Sequence, residues 1–324
     1  MTTALQLTDF ARDTLTGLSA PRKYLHAKHL YDDNGSKIFQ QIMNMPEYYP
    51  TGCEHEIFSG QSAAISSHLR QDNSFFRLIE LGPGDGLKSR ILLKQLAGQK
   101  TGFSYMPVDI SGHAIQQLVN CIRGEMNGLK IEDRVGDYMQ VMQEINNQDP
   151  MPKVILFLGG NIGNFSEQEL DDFLNQLQAI TRKGDKVLMG FDLKKSPDII
   201  MNAYDDPHGH TRDFNLNHLV RINRELDADF NPDLFSHHCC YDPRSGAMES
   251  FLVSSRQMTV HIGALEKDIH FKPWESIFME LSRKYDLPEI SQMAFGHGFE
   301  IKETFTDSRN FFVDSLWIKK EDQL

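Results

Sequence analysis

Between residues 76 and 193 short apolar runs alternate with helical patterns, and this alternation restricts the fold more than any other feature. The apolar runs are RLIEL, FSYMPVDI, KVILFLG and DKVLMGFDL. Helical periodicity occurs between them, in HAIQQLVNCI and EQELDDFLNQLQAI. Apolar strands separated by helices are typical of a parallel sheet that is covered by helices on both faces. The sequence therefore predicts a doubly wound, mostly parallel α/β domain.

The chain divides into three segments of different texture. The N-terminal helical segment comprises residues 1–70. The α/β domain comprises residues 71–194 and 286–324, and an inserted α+β lobe comprises residues 195–285. The final stretch, GFEIKETFTDSRNFFVDSLWIKK, predicts a hairpin that returns to the edge of the main sheet. We expect the inserted lobe to cover the ligand crevice and the N-terminal segment to contribute to the substrate site.

Local patterns predict further elements outside the alternating region. Helical patterns in the N-terminal segment occur at residues 7–15, 36–43 and 54–69. The two prolines of MPEYYPTGCE predict an extended, rigid turn that carries Tyr48 and Tyr49. In the inserted lobe TRDFNLNHLVRINREL predicts a long helix, and SHHCCYD, AMESFLVSS, QMTVHIG and KDIHFKP predict strands.

Composition and charge exclude several kinds of partner. The formal net charge is −12, whereas binding to a phosphate backbone depends on lysine and arginine. No stretch has the roughly 18 uninterrupted apolar residues of a membrane span, and the N-terminus lacks the basic start and apolar core of a signal peptide. The four cysteines are too few for a disulfide scaffold. We therefore expect a cytoplasmic protein with no nucleic-acid or membrane partner. We also expect a monomer, although no sequence pattern indicates the oligomeric state.

The stretch LIELGPGDGLKSRILLKQL predicts a strand, a tight loop and a helix. Gly82, Gly84 and Gly86 allow positive φ and close approach of a ligand. A dinucleotide site requires G-x-G-x-x-G, but Leu87 stands where the last glycine is needed. Glu80 directly before the loop suits a cationic ligand such as S-adenosylmethionine (SAM) better than a pyrophosphate. The loop resembles motif I of class I methyltransferases, and a nicotinamide-dependent oxidoreductase is the disfavoured alternative.

Polar residues also follow the other predicted strands. Asp109 ends the second strand, where a carboxylate can accept hydrogen bonds from both ribose hydroxyls. GDYM closes a third strand-like segment, IEDRVGDY, where Asp137 is placed to accept from the adenine amine. The run LFLGGNIGN ends in exposed backbone at Gly159 and in the amide of Asn164, which can donate and accept. Each aspartate alone reads as a helix cap, but together the residues predict a ligand site at the carboxyl ends of the strands.

Long and unusual motifs carry a resemblance to a known family. They are YDDNGSKIF, MPEYYPT, ELGPGDGLKS, LGGNIGN, AYDDPHGHTRDFN, INRELDADF and MELSRKY. Over nearly its whole length the chain resembles the ergothioneine-pathway L-histidine Nα-methyltransferases, which are SAM-dependent amino-acid α-N-methyltransferases. The resemblance implies a class I SAM-methyltransferase-like fold and trimethylation of the α-amine of L-histidine to hercynine.

The resemblance also implies cofactor contacts. By position these are Gly82 and Lys88 in the loop, Asp109 at the ribose, and Asp137 with Tyr138 at the adenine. Together with Glu80, Gly84 and Gly86, these residues make up the predicted SAM site.

Further residues are implied on the substrate side. They are Tyr48, Gly159, Asn164, Tyr204, Ser250, Glu280 and Ser282. The resemblance assigns Asn164 and Tyr204 to the substrate carboxylate. It assigns Glu280 and Ser282 to the imidazole, where a carboxylate can accept from a ring N–H and a hydroxyl can adapt to the other nitrogen.

For methyl transfer the protein must mainly align the methyl donor with the amine and bind the amine in its neutral form. Tyr31 matches a tyrosine close to the reacting amine, so Tyr31, Tyr48 and Asn164 are the candidate catalytic residues, with water taking the proton. The product is a quaternary cation, which the aromatic faces of Tyr31, Tyr48 and Tyr204 attract.

The chain also departs from the family pattern. Its loop differs at Pro83, Asp85, Gly86 and Leu87, and Ser250 stands where the family has a methionine against the imidazole. Relatives in the family methylate indole-type amino acids as well. Another amino acid, such as an aromatic one, and a non-catalytic SAM-binding protein are therefore the open alternatives.

Two histidine-rich stretches do not predict a metal site. In HHCC, His237–Cys240, neighbouring side chains of a strand point to opposite faces and cannot share an ion. HGH at residues 208–210 reads as a loop. No G-x-S-x-G elbow of a hydrolase is present in the sequence.

Overall fold

The structure, a computed structural model, describes residues 7–70, 75–99, 101–145 and 151–321. These residues form two compact units. Unit 1 comprises the described residues of Met1–Tyr49 and Lys195–Arg283, and unit 2 those of Pro50–Lys194 and Lys284–Leu324. The predicted N-terminal segment is thus divided between the units after Tyr49. The predicted start of the α/β domain, residue 71, lies outside the described residues.

The helices and strands are numbered along the chain. The α-helices of the described ranges are α1 (Asp9–Ser19), α2 (Asp33–Met43), α3 (Tyr49–Leu69), α4 (Leu87–Gly98), α5 (Gly112–Glu125), α6 (Tyr138–Glu144), α7 (Glu167–Ile180), α8 (Pro197–Tyr204), α9 (His210–Leu226) and α10 (Leu287–Gly296). The β-strands are β1 (Lys23–Tyr24), β2 (Phe76–Leu81), β3 (Phe103–Asp109), β4 (Lys130–Ile131), β5 (Arg134–Val135), β6 (Lys153–Phe157), β7 (Lys186–Asp192), β8 (Phe235–Asp242), β9 (Ala247–Ser254), β10 (Met258–Ile262), β11 (Lys267–Phe271), β12 (Ser276–Arg283), β13 (Phe299–Thr306) and β14 (Phe312–Lys319).

Unit 2 is built on one large sheet. Its strand order is β13-β14-β7-β6-β2-β3-β4, and β5 also pairs with β3. Strands β2, β3, β6 and β7 run parallel, whereas β14 is antiparallel to both β7 and β13. The doubly wound, mostly parallel fold and the C-terminal hairpin at the sheet edge are therefore confirmed.

Local sequence explains why these elements form. Every residue of β6 is buried, as its continuous apolar run requires in a covered parallel sheet. Helix α7 begins with a capping box, in which the side chains of Ser166 and Glu169 bond each other's backbone amides. Its apolar residues recur at helical spacing, so Leu170, Phe173 and Leu177 are buried in the core of unit 2.

Unit 1 contains two separate arrangements of strands, which are antiparallel except where β1 pairs in parallel with β12. One sheet has the order β1-β12-β9-β8, and β10 pairs with β11 as a separate ribbon. The buried side of β9 and β12 contributes Leu252, Ile277 and Met279 to a core that includes Phe214 of α9. The long helix and the strands that the sequence predicts for the inserted lobe are present.

Two predictions of local structure are wrong. Helix α3 begins at Tyr49 rather than at Glu54, because a proline such as Pro50 is tolerated in the first helical turn, where its missing N–H has no partner to lose. Tyr49 therefore belongs to a helix and not to an extended turn. The run IEDRVGDY forms only the two-residue strands β4 and β5.

The strand predicted for SHHCCYD is present as β8. HHCC lies in β8, where Cys239 is buried and its neighbour Cys240 is exposed. Among the described residues, no helix combines the length and the apolarity that crossing a membrane requires.

A buried histidine makes the stability of unit 1 sensitive to acid. His218 of α9 is 1% exposed, and its ring stacks on Phe10 with centroids 6.0 Å apart. Neither ring nitrogen has a hydrogen-bond partner within the described residues. Burial, reinforced by the positive charges of His29 and Arg221, lowers the pKa of His218 to about 3.

We predict that His218 contributes to acid denaturation. Its folded pKa lies below its unfolded value of about 6.5, so the unfolded state binds more protons between these values. The contribution is fully present above about pH 6.5 and decreases as the pH falls toward about 3, by on the order of 5 kcal/mol. His218→Phe should therefore lose less stability over this range in urea denaturation. An identical pH dependence in both proteins would contradict the assignment.

Candidate active site

The glycine loop after β2 has the backbone conformation that its sequence predicts. Gly82, Gly84 and Gly86 have φ of 68°, 57° and 68°, in the region that side chains disfavour. A Cβ on Gly86 would lie 2.1 Å from Cδ1 of Leu118, whereas a Cβ on Gly84 would meet nothing within 4 Å. Gly84 therefore leaves backbone open to a ligand, and Gly86 allows close packing of α4 on α5.

Glu80 lies at the end of β2 and is 1% exposed. One carboxylate oxygen accepts a hydrogen bond from Ser89 Oγ at 2.6 Å, and the other accepts from the Tyr105 hydroxyl. Burial raises the pKa of this carboxyl, and the two hydrogen bonds oppose the rise. Through these two hydrogen bonds Glu80 connects α4 and β3 to β2, the strand that precedes the loop. The sequence does not predict this structural role.

Asp109, at the end of β3, lies beside the glycine loop. Its carboxylate accepts from the Ser111 amide at 2.9 Å. Burial raises the pKa of Asp109, and the amides of Ser111, Gly84 and Ile110 counteract this effect. The structure thus brings together two parts of the predicted cofactor site, the loop and the acid.

Asp137 and Tyr138 lie where α6 begins. Asp137 is the N-cap, and its carboxylate accepts from the amides of Met139 at 2.9 Å and Gln140 at 3.3 Å. The Tyr138 ring contacts Phe157 and Phe173, with centroid distances of 5.7 and 6.1 Å. Burial raises the pKa of its hydroxyl. Asp137 is therefore a helix cap, the role that the residue suggests in isolation, and its adenine contact stays a prediction.

The turn after β6 contains the predicted Gly159 and Asn164. Gly159 has φ of 83°, and Asn164 ends a 3₁₀ turn that begins at Asn161. The side-chain nitrogen Nδ2 of Asn161 would be 3.7 Å from a Cβ on Gly82 and 3.6 Å from a Cβ on Gly159. Asn161 is therefore next to both loops. Of the two asparagines in GGNIGN, the sequence predicts a role only for the second, Asn164.

Glu54 connects Lys88 and Gly159, and the sequence predicts no role for it. Lys88 Nζ forms an ion pair with Oε2 of Glu54, and the Gly159 amide donates to Oε1 of Glu54 at 2.7 Å. The Glu54 side chain is 1% exposed and that of Lys88 is 21% exposed. In the sequence Glu54 resembles an ordinary first-turn acid of a helix, so no local pattern indicates this role.

In unit 1 a β-bulge sets the direction of Glu280. Strand β12 pairs with β9, and the register shifts between Phe278 and Glu280. Phe278 lies opposite Phe251 and Glu280 opposite Ser250, and neighbours along β9 point to opposite faces. Regular alternation would keep Glu280 on the face of Phe278, but the extra residue turns it to the face of Ser250.

The same face carries the other predicted side-chain contacts. Ser282 lies opposite Met248 and, two residues beyond Glu280, points to the same side as Glu280. Ser250 is 2% and Ser282 7% exposed. The Tyr204 hydroxyl and Ser282 Oγ are 2.7 Å apart and hydrogen bonded. The structure therefore brings Ser250, Glu280, Ser282 and Tyr204 together.

Tyrosines extend this cluster. The rings of Tyr48 and Tyr204 have centroids 6.2 Å apart, and Tyr31 contacts Phe214 at 5.3 Å. Burial raises the pKa of Tyr31 well above its usual value, and the negative charge of Glu280 adds to the rise. Tyr31 is therefore a neutral phenol near a carboxylate, in a wall made largely of aromatic rings.

The fold and the loop geometry define the class of protein. A glycine loop after a central strand and an acid at the end of the adjacent parallel strand, together with this strand order, are the features of class I SAM-dependent methyltransferases. Residues 10–319 match the profile of the family described as histidine-specific methyltransferase, SAM-dependent. The chain belongs to this family and is a SAM-dependent methyltransferase.

Relatives with known names support this assignment. A histidine N-alpha-methyltransferase of Mycobacterium tuberculosis is 34% identical over 308 residues, which cover 95% of this chain and 94% of that protein. Ergothioneine biosynthesis protein 1 of Schizosaccharomyces pombe is 26% identical over 87% of this chain and 37% of its own length. An L-tryptophan methyltransferase of Psilocybe serbica is 26% identical over 91% of this chain and 88% of that protein.

We predict that two glycines of the loop respond differently to alanine. In the free protein Gly84→Ala should cost only the left-handed backbone conformation, about 1 kcal/mol. It should also weaken SAM affinity, because its Cβ would occupy the side on which the backbone is open to the ligand. Gly86→Ala adds a clash with buried Leu118, so we expect a loss of about 2–3 kcal/mol and a weaker SAM affinity. Thermal denaturation and calorimetric titration with S-adenosylhomocysteine measure both effects. Equal destabilisation by the two variants would show that the Leu118 contact is unimportant.

Proposed function

We propose that the chain transfers methyl groups from SAM to the α-amine of L-histidine, and that it adds three to give hercynine. The observation that carries the proposal is the bulge in β12, which turns Glu280 to the buried face beside Ser282. A carboxylate and a hydroxyl on one apolar wall suit a ring with a donor and an acceptor nitrogen. The family membership supports the same substrate.

Unit 2 provides the proposed cofactor contacts. The residues present fit SAM, because Gly82 and Gly84 leave backbone open and Asp109 offers a carboxylate for the ribose hydroxyls. Lys88 is the proposed partner of the cofactor carboxylate. When bound, SAM supplies a methyl group that is already activated by its sulfonium. The adenine contacts of Asp137 and Tyr138 and the substrate contacts of Gly159 and Asn164 are proposed by family position.

Unit 1 provides the proposed contacts to the amino acid. Tyr204 is proposed to bind the carboxylate, while Tyr31 and Tyr48 orient the α-amine. The amine must be neutral to attack, and the neutral phenol of Tyr31 can accept a hydrogen bond from it while water removes the proton. As methyl groups accumulate the amine becomes a quaternary cation, which aromatic faces hold better than an aliphatic wall does.

An aromatic amino acid is a second candidate substrate. Ser250 faces Glu280 across the strand pair, and a serine leaves more room at this wall than the methionine that the family resemblance predicts. The Psilocybe serbica relative is named for tryptophan. A larger side chain would therefore have space, although Glu280 favours a group that can donate a hydrogen bond.

We further propose that the protein acts as a monomer in the cytoplasm. All four cysteines are free, which agrees with a reducing compartment.

The direct test is mass spectrometry of the purified protein with SAM and each of the twenty amino acids in turn. We expect histidine alone to gain up to three methyl groups. Methylation of a different amino acid would keep the reaction and refute histidine as the substrate. Binding of SAM without any methylation would favour a non-catalytic SAM-binding protein.

We predict that cofactor and substrate binding can be lost separately. Asp109→Ala should abolish SAM binding, whereas Glu280→Ala should leave it unchanged and raise KM for histidine about 10- to 100-fold, since it removes a charged hydrogen-bond partner. Titration calorimetry with S-adenosylhomocysteine and steady-state kinetics measure the two effects.

Glu249→Ala is the matched control for Glu280→Ala. Glu249 is on the neighbouring strand opposite Leu281, on the other face of the sheet from Ser250. It should change neither constant. If the two glutamate variants behaved alike, the assignment of the substrate face would be wrong.

A further inference from the structure

A buried carboxyl group in unit 2 has no role in the contacts described so far. Asp314 of β14 is 0% exposed, and neither of its oxygens accepts a hydrogen bond from an N–H or O–H donor within the described residues. It lies opposite Gly190 of β7, so the two positions share one face of the sheet. An isolated carboxylate in such a place would be strongly destabilising.

The group that faces Asp314 is Glu54. A Cβ on Gly190 would lie 2.7 Å from Oε1 of Glu54, so the Glu54 carboxylate occupies the space above Gly190, next to Asp314. Gly190 has no side chain and thereby makes room for it. Two buried carboxyl groups therefore share one site, and the ammonium of Lys88 is bonded to only one of them.

Charge balance distinguishes the two carboxyl groups. Glu54 bonds the Lys88 ammonium and the Gly159 amide, and both of these partners favour an ionised carboxylate. Asp314 has no comparable donor. Burial raises its pKa well above the usual value, and the charge of Glu54 raises it further, while that of Lys88 opposes the rise. Of the two carboxyl groups, Asp314 is therefore the one that holds a proton more readily.

We propose that Glu54 is a positioning residue of the cofactor site, which holds Lys88 with one oxygen and the Gly159 turn with the other, and that Asp314 beside it is the neutral member of the carboxyl pair. The first part rests on the proposed contact of Lys88 with SAM. Glu54 thereby links the cofactor loop on α4 to the turn after β6, although it touches neither reactant.

The sharpest test makes the same chemical change at both carboxyl groups. Glu54→Gln keeps an acceptor for Gly159 but removes the charge that holds Lys88, so Kd for S-adenosylhomocysteine and KM for SAM should rise about tenfold or more. The value of kcat at saturating SAM should change much less. Asp314→Asn replaces a neutral acid by a neutral amide of the same shape, so both constants should stay within about twofold of wild type.

The outcomes separate the alternatives. A large loss of affinity in Asp314→Asn with none in Glu54→Gln would reverse the charge assignment and overturn the proposal. No effect in either variant would overturn the positioning role. Lys88→Met tests the underlying contact: if it leaves Kd for S-adenosylhomocysteine unchanged, the proposed cofactor role of Lys88 fails. In that case histidine methylation is still judged by the amino-acid assay.

The charge state can also be tested without any ligand. The charged groups that act on Asp314 are Glu54 from α3 and Lys88 from α4, and Glu80 from β2 acts on Lys88 in turn. Since the folded pKa of Asp314 lies above its unfolded value, the folded state binds more protons. The free energy of unfolding should therefore fall as the pH rises through the interval between these values. Asp314→Asn should lack this part of the decrease.

Infrared spectroscopy of the wild-type protein covers the case in which the variants do not fold. We expect the carbonyl band of a protonated carboxylic acid at neutral pH, and in a folded Asp314→Asn protein this band should lose intensity. Absence of any such band in the wild type would overturn the assignment of Asp314 as the neutral partner.

Discussion

Strand β2 pairs in parallel with β3 on one side and with β6 on the other. Parallel neighbours must be joined by crossovers, and their carboxyl ends meet at one edge of the sheet. The glycine loop, Asp109 and the turn at Gly159 follow these three strands and are therefore gathered at that edge. The cofactor contacts proposed for unit 2 all depend on this pairing.

The sequence predicts those features of unit 2 that are encoded locally. The apolar runs of the parallel strands are continuous, because both faces of the sheet are covered, and helix α7 is marked by its capping box at Ser166. The positive φ of Gly82, Gly84 and Gly86 likewise follows from residue type. These signals lie within a few residues of the structure that they specify, so a single sequence is enough to find them.

Features that depend on distant partners were not predictable in the same way. Glu54 contacts Lys88 and Gly159, which are far from it in the sequence, and its helix begins before Pro50, which reads as a helix breaker. The bulge that turns Glu280 inward exists only in the pairing of β12 with β9. Strict alternation would put Glu280 on the opposite face. Only the resemblance to a family, and no residue pattern, indicated this position.

In the proposed function, cofactor binding and side-chain recognition fall in different units. The proposed SAM contacts are all in unit 2, whereas Ser250, Glu280 and Ser282 occupy two adjacent strands of unit 1. A substitution on that sheet face can alter the fit of a side chain without disturbing the glycine loop. Because Glu280 depends on the register of β12 for its direction, the bulge, more than the glutamate alone, should determine whether an imidazole is recognised.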